Sequence, residues 1–218
     1  TKILEQAGFE VIIVEKECCG RPLISKGMLD EAVRLARRNV EILFPFVQRG
    51  IPIVGTEPSC LLTLRDEYID LLPGCDKAKE VANNSYLIDE FLCELNDKGN
   101  LNLSFEPLNG KVLFHGHCHQ KALASTDAST TLMNLVPNAE IEILDAGCCG
   151  MAGAFGFEKE HYAISMEIGN RVLFPAVREN VGSPVVVTGV SCRQQVQHGT
   201  EVVPKHLVEF LADHLKTP

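Results

Sequence analysis

The chain has 218 residues, 45% of them hydrophobic and 22% charged, with a formal net charge of −9. That size suits one large domain or two half-size units sharing a core, and the acidic balance argues against a nucleic-acid backbone as partner. No apolar run approaches the roughly 20 residues of a membrane span. The chain starts at Thr1 with no signal-peptide pattern and is expected to be part of something longer; its clustered cysteines suit a reducing cytoplasm, the expected location, peripheral to a membrane only through a partner.

The first β-like run is "FEVIIVE" at 9–15, an apolar, β-branched stretch expected as a buried strand. It leads into Cys18 and Cys19, a glycine-containing turn and a helix-period stretch over 28–48. "GIPIVGTEPSC", 50–60, reads as a short strand closed by Cys60 at the start of a further helix, and "LIDEFLCEL", 87–95, as a closing helix. "KVLFHGHCHQKAL", 111–123, reads as a strand running into a helix with Cys118 at the junction. "AEIEILD", 139–145, is again strand-like and precedes Cys148 and Cys149, a glycine-rich turn and a helical stretch over 158–179. "GSPVVVTGVSC", 182–192, then ends on Cys192, and "HLVEFLADHL", 206–215, is the last helix.

These elements form an internal duplication. Cys18 and Cys148 are 130 positions apart, as are Cys19 and Cys149; Cys19 to Cys60 is 41 positions and Cys149 to Cys192 is 43. The repeats are expected to occupy 1–108 and 109–218. The same offset puts the counterpart of the 111–123 element about a dozen residues before Thr1, so the first repeat is expected to lack a leading cysteine while the second is complete.

Strands alternating with helices imply an α/β fold, here two pseudo-symmetric halves, each a small, mainly parallel sheet flanked by helices. Cys118, the 148–149 doublet and Cys192 each follow a strand, and loops at the carboxyl ends of parallel strands converge on one rim. Nine cysteines, an odd number that includes two adjacent pairs, do not suit a secreted disulfide scaffold and suit a metal or redox site instead. Helix N-termini favour thiolates, and four thiolates in one pocket repel one another unless they hold a cationic centre. Zinc and an iron–sulfur cluster both satisfy that demand. There are no paired C-x2-4-C knuckles, and an adjacent doublet suits a multi-iron cluster more naturally. A zinc-stabilised interaction module and a thiol–disulfide reductase stand as the alternatives.

The motifs "CCGRPLISKG", "GTEPSCLLTLRDEY", "HGHCHQKAL", "DAGCCGMAGAFG" and "VTGVSCRQQ" resemble the cysteine-rich CCG-domain family. That family includes the iron–sulfur subunits of glycolate oxidase, D-lactate dehydrogenase and anaerobic glycerol-3-phosphate dehydrogenase, and the catalytic subunit of heterodisulfide reductase. The resemblance implies a tandem CCG module downstream of a ferredoxin-like domain with cubane 4Fe-4S clusters. It implies electron transfer from a flavin (FAD on another domain or subunit), which oxidises a 2-hydroxy acid or glycerol phosphate, toward a quinone. It also implies Cys118, Cys148, Cys149 and Cys192 as cluster ligands, with Cys18, Cys19 and Cys60 as part of a second site. The heterodisulfide reductase branch ends each repeat in C-x-x-C; here the second positions are Thr63 and Gln195, so the dehydrogenase branch is the nearer match.

The remaining polar residues carry ordinary explanations beside functional ones. Cys75 and Cys93 have no counterparts in the repeat and read as structural. His115, His117 and His119 surround Cys118; the strand is expected to end near His115 so that the three splay apart, leaving His117 or His119 to tune a cluster or cap a helix. Arg21 and Arg193 follow ligand candidates and balance cluster charge, attract an anionic substrate group or simply meet solvent. "RLARRN", 34–39, reads as an exposed helix face, and Asp145 and Glu57, general acids in an enzymatic reading, are more cheaply explained as solvated strand ends.

Overall fold

Apolar residues at helical spacing make Leu29–Val47 an amphipathic helix of 19 residues. It is the spine of one of the two units into which the chain divides in the computed structural model, which describes residues 1–216. This unit runs from Ile12 to Phe91. Ala36, Val40, Leu43 and Val47 of the spine pack with Leu64, Tyr68, Leu72, Ala78 and Val81, contributed by helices Pro58–Arg65, Glu67–Leu71 and Asp76–Asn83 and the turn between the last two. Arg34, Arg37 and Arg38 face solvent as expected, but Asn39, the last residue of that motif, is fully buried. A two-stranded parallel sheet completes the unit: β1, Ile53–Gly55, pairs with β2, Ser85–Leu87, in the register Ile53↔Ser85 to Gly55↔Leu87.

The strand expected over 9–15 does not form. Ile13 is 80% exposed and Ile12 45%, and among the described residues no strand pairs with this stretch. A β-branched run gains little from extended geometry without a ladder partner. Its counterpart in the second repeat has one, and forms.

The other unit comprises Thr1–Val11 and the residues from Leu92 onward. Its sheet holds β3 (Gly110–His115), β4 (Ala139–Ile143), β5 (Val185–Val187) and β6 (Lys205–His206) in the spatial order β4-β3-β5-β6, all parallel. Val112, Leu113 and Phe114 of the central β3 are fully buried. The chain leaves β3 to one side to make β4 and crosses to the other side to make β5. That reversal opens a crevice at the carboxyl ends of the strands. The helix expected over 158–179 is two helices, Tyr162–Arg171 and Leu173–Glu179, broken at Val172. Pro175 accounts for the break, since its ring excludes the carbonyl of residue 171 from a continuing helix. The closing helix Leu207–Asp213 starts with a capping box: the His206 ring accepts from the Val208 N–H at 3.1 Å and Glu209 accepts from the His206 N–H at 2.7 Å. Helix Lys2–Gln6 packs against this closing helix. Among the described residues no helix is long and apolar enough to cross a membrane.

Candidate metal centre

Three loops leave the carboxyl ends of β3, β4 and β5, and each carries cysteine. Cys118 opens the helix Cys118–Leu123, Cys148 and Cys149 lie in the loop after β4, and Cys192 is in the first turn of the helix Val190–Thr200. The four sulfurs meet in one row: Cys118 is hydrogen-bonded to Cys148, Cys148 to Cys149, and Cys149 to Cys192. Cys149 and Cys192 are buried, whereas Cys118 and Cys148 are partly open to solvent.

The row shares protons in alternation. Hydrogen bonds from Cys118 and Cys149 hold the Cys148 thiol far below the ordinary value, and the bond from Cys149 does the same for Cys192. The donors Cys118 and Cys149 are pushed up by those same bonds and then by burial. Such a set titrates jointly, with Cys148 and Cys192 giving up protons before Cys118 and Cys149. Backbone amides assist. The Gly150 N–H donates to Cys148 Sγ at 3.3 Å, the Ala152 N–H also bonds Cys148, and the Met151 and His119 N–H groups bond Cys149 and Cys118. Successive amides converging on sulfur form the anion-binding concavity that a glycine-rich turn allows.

Gly150 is required on two counts. Its φ is +99°, and a Cβ there would lie 2.2 Å from the Ser165 carbonyl oxygen. That carbonyl is itself fixed by Gln195, whose Nε2 donates to Ser165 O at 3.1 Å and to Ser165 Oγ at 3.0 Å. Lys121 Nζ donates to the Gly147 carbonyl at 3.0 Å, tying the Cys118 helix to the doublet loop.

His117 caps the helix Cys118–Leu123, its Nδ1 accepting from the His119 N–H at 3.2 Å. Its own N–H donates to Thr188 Oγ1 at 2.9 Å and its Nε2 lies 3.2 Å from Ser191 Oγ, so it joins the β3 and β5 loops. The strand does end at His115; that residue is fully buried. The His117 and His119 rings stand 6.5 Å apart between centroids. Arg193 pairs with Glu209 at 3.0 Å. Asp145 is exposed in the loop after β4.

In the Ile12–Phe91 unit the thiol set is smaller. Cys19 Sγ lies 3.4 Å from Cys60 Sγ, their hydrogen bond lowering Cys60 and raising Cys19, while Cys18 is exposed. The doublet loop is held from beneath by two residues outside the cysteine motifs. Asn39 accepts from the Glu17 N–H at 3.0 Å and donates to the Cys18 carbonyl and to Tyr68 Oη, both at 2.9 Å. Tyr68 Oη donates to the Cys19 carbonyl at 3.0 Å. The signal that marks Asn39 in the sequence is an Asn in the apolar stripe of an otherwise regular amphipathic helix. Arg21 is ion-paired with Glu67, and Glu57 caps the helix Pro58–Arg65 by accepting from the Ser59 N–H at 3.2 Å. Cys75 precedes the helix Asp76–Asn83 and packs on the core; Cys93 lies in the helix Ile88–Asp97, its Sγ 4.0 Å from Asp97 Oδ2.

The positions that follow the last cysteines are internally satisfied. Thr63 is buried with Oγ1 donating to the Ser59 carbonyl at 2.7 Å, and Gln195 is committed to Ser165.

Among the described residues no group of three or more His, Cys, Asp and Glu side chains is arranged to hold a metal ion as it stands; the second-repeat sulfurs are joined by shared protons instead. Binding a metal there means displacing those protons. The donor set fits: four sulfurs without carboxylates are a soft set that selects zinc or iron–sulfur centres.

The model of the cysteine-rich domain family (CCG) matches residues 1–65 and 112–197. A component of the anaerobic glycerol-3-phosphate dehydrogenase of Escherichia coli (strain K12), its C subunit, is 35% identical over 216 residues, 98% of this chain and 54% of that protein. The D-2-hydroxyglutarate dehydrogenase of the same strain is 28% identical over 99% of this chain and 20% of that protein. Lactate utilization protein A of Exiguobacterium sp. (strain ATCC BAA-1283 / AT1b) is 22% identical over 99% of this chain and 89% of that protein. The chain thus spans about half the length of the glycerol-3-phosphate dehydrogenase component. It belongs to the cysteine-rich domain family.

Proposed function

We propose that this member of the cysteine-rich domain family is the iron–sulfur electron-transfer module of a flavin-linked dehydrogenase, receiving electrons drawn from a 2-hydroxy acid or glycerol 3-phosphate and passing them toward a quinone. Residues 1–108 and 109–218 are its two repeats. In this reading Cys118, Cys148, Cys149 and Cys192 hold a 4Fe-4S-type cluster, and Cys18, Cys19 and Cys60 belong to a second, incomplete set. The partners are a ferredoxin-like iron–sulfur domain and a flavoprotein, on the same chain or a separate one, that binds FAD. The location is cytoplasmic, with membrane contact through a partner.

One observation carries the proposal: sulfurs from three separate loops meet at the switch point of a parallel sheet, with backbone amides aimed at them. Such a centre supplies one-electron acceptance and release. The chain's own part is to fix the sulfurs, to neutralise their charge with the amides of residues 150–152, and to bury Cys149 and Cys192 away from water. The names of the relatives support a redox role, since glycerol-3-phosphate dehydrogenase, D-2-hydroxyglutarate dehydrogenase and a fumarate reductase subunit of Methanothermobacter marburgensis all occur among them. Thr63 and Gln195 standing where a disulfide-cleaving site would need thiols speaks against reductase chemistry.

The test is iron and acid-labile sulfide analysis of the full-length parent protein purified anaerobically. Iron and sulfide in equal amounts with broad visible absorbance, both reduced by Cys148→Ser or Cys192→Ser, support the proposal. A colourless protein with one zinc per chain, or a metal-free protein that reduces a disulfide, overturns it.

A further inference from the structure

His115 is the last residue of β3 and is fully buried. Side chains alternate across a strand, so His115 shares a sheet face with Leu113. Its register partner is Val187, and that of Leu113 is Val185. Leu113, Val185 and Val187 all pack in the core that contains Cys149 and Cys192. The imidazole therefore lies on the thiol side of the sheet, while Phe114 points to the other.

Neither ring nitrogen of His115 has an oxygen or nitrogen partner. Its buried neighbours along the strand ends are matched: Gln195 bonds Ser165, and Thr188 accepts from the His117 amide. An orphaned buried imidazole is costly and calls for an account. The group it meets is the Cys192 sulfur: a hydrogen bond from Cys149 first, and then one from His115, hold that thiol low against the effect of burial.

We infer that His115 is a positioning residue that donates a ring N–H to the Cys192 sulfur once that sulfur is a ligand, and so raises the reduction potential of the centre. The inference rests on the cluster reading above. Adding an electron increases the negative charge on the ligating sulfurs, and a donor aimed at one of them stabilises the reduced form more than the oxidised form. Hydrogen bonds to sulfur are among the levers that set iron–sulfur potentials. The burial of His115 keeps water from substituting for it.

The experiment uses the full-length parent protein, purified anaerobically, as wild type, His115→Leu and His115→Gln. Potentials are read on the signal that Cys192→Ser abolishes. The expected result is iron and sulfide unchanged in both variants. Leu should lower the reduction equilibrium constant about tenfold, or about 59 mV for one electron, and Gln, which retains an N–H donor, should recover part of the loss. An unmoved potential in a fully loaded Leu variant overturns the inference and leaves the cluster reading intact. A wild type without iron and sulfide overturns both. Should the variants fail to fold, pulsed EPR of the reduced wild type decides. A weak nitrogen coupling from one histidine supports the hydrogen bond; no coupling, or the strong coupling of direct ligation, refutes it.

Discussion

Gly150→Ala tests the geometry on which the site depends. The substitution adds one methyl group at a residue with φ +99°, 2.2 Å from the Ser165 carbonyl oxygen, 3.1 Å from its carbon and 3.0 Å from Gln195 Nε2. The carbonyl cannot retreat cheaply. Ser165 is inside the helix Tyr162–Arg171, and Gln195 holds its oxygen from the side. A non-glycine residue at such a φ costs about 1–3 kcal/mol, and forcing a methyl into a packed backbone contact costs about 1–3 kcal/mol more. The sum, about 2–6 kcal/mol, lowers the melting temperature by about 4–24 °C in a chain of this size. Gly147→Ala is the control: φ there is +58° with nothing within 4 Å of the added carbon, so only the left-handed conformation is penalised, at about 1–2 kcal/mol. Thermal unfolding of the reduced, metal-free protein followed by circular dichroism separates the two. If Gly150→Ala melts no lower than Gly147→Ala, the doublet loop does not lie against Ser165, and the assembly of the sulfur row as described is wrong.

Two further outcomes follow from the first-repeat loop. Asn39→Leu strands the Glu17 N–H and the Cys18 carbonyl and should cost about 2–4 kcal/mol, while Tyr68→Phe removes the donor to the Cys19 carbonyl at about 1 kcal/mol; urea unfolding ranks them, and the reverse order would contradict the network. In metal-free, reduced protein, iodoacetamide should modify Cys60 at a pH below the ordinary thiol range, and Cys19 should resist well above it, because their shared hydrogen bond lowers one and raises the other. The linked stability has a definite sign. Cys60 favours folding increasingly as pH climbs to about 8.5, since the unfolded chain then holds more protons; above that value Cys19 reverses the slope, since the folded chain holds more. Identical alkylation profiles for the two cysteines would remove the basis for both statements.

The duplication, the strands around Cys118, Cys148 and Cys192 and the meeting of those thiols were legible because each rests on a local pattern. A β-branched run, a glycine turn and a cysteine at a helix start suffice to put a sulfur at the end of a strand, and parallel topology then brings the strand ends together. Most of what escaped was set by partners elsewhere in the chain. Residues 9–15 have full strand character, yet form no strand without a neighbour to pair with. Pro175 divides one expected helix into two. β2 and β6 are two to three residues long, too short for periodicity to register. Asn39 is buried in a helix whose arginines are exposed, and His115 stands in a histidine run whose spacing drew attention to its neighbours. For residues 9–15, Asn39 and His115 the deciding contact is tertiary and lies outside any single-sequence pattern, whereas the break at Pro175 is a local effect that the sequence itself carries.

Sheet topology explains why the same doublet motif yields different thiol sets in the two units. In the unit from Leu92 onward, β4 and β5 lie on opposite sides of β3, so the crevice receives loops from all three strands and with them four sulfurs. In the Ile12–Phe91 unit, β1 has β2 as its one strand partner among the described residues, and two loops supply the contact between Cys19 and Cys60. Two sulfurs sharing a proton at 3.4 Å form an acidic thiol beside a protonated one, which is reactive toward electrophiles but too few to hold a tetrahedral ion or a cluster. Four sulfurs with converging amides meet that ligand count. Assembly of the four-sulfur set therefore depends on the central strand: β3 both delivers Cys118 and separates the two strands whose loops bring the rest.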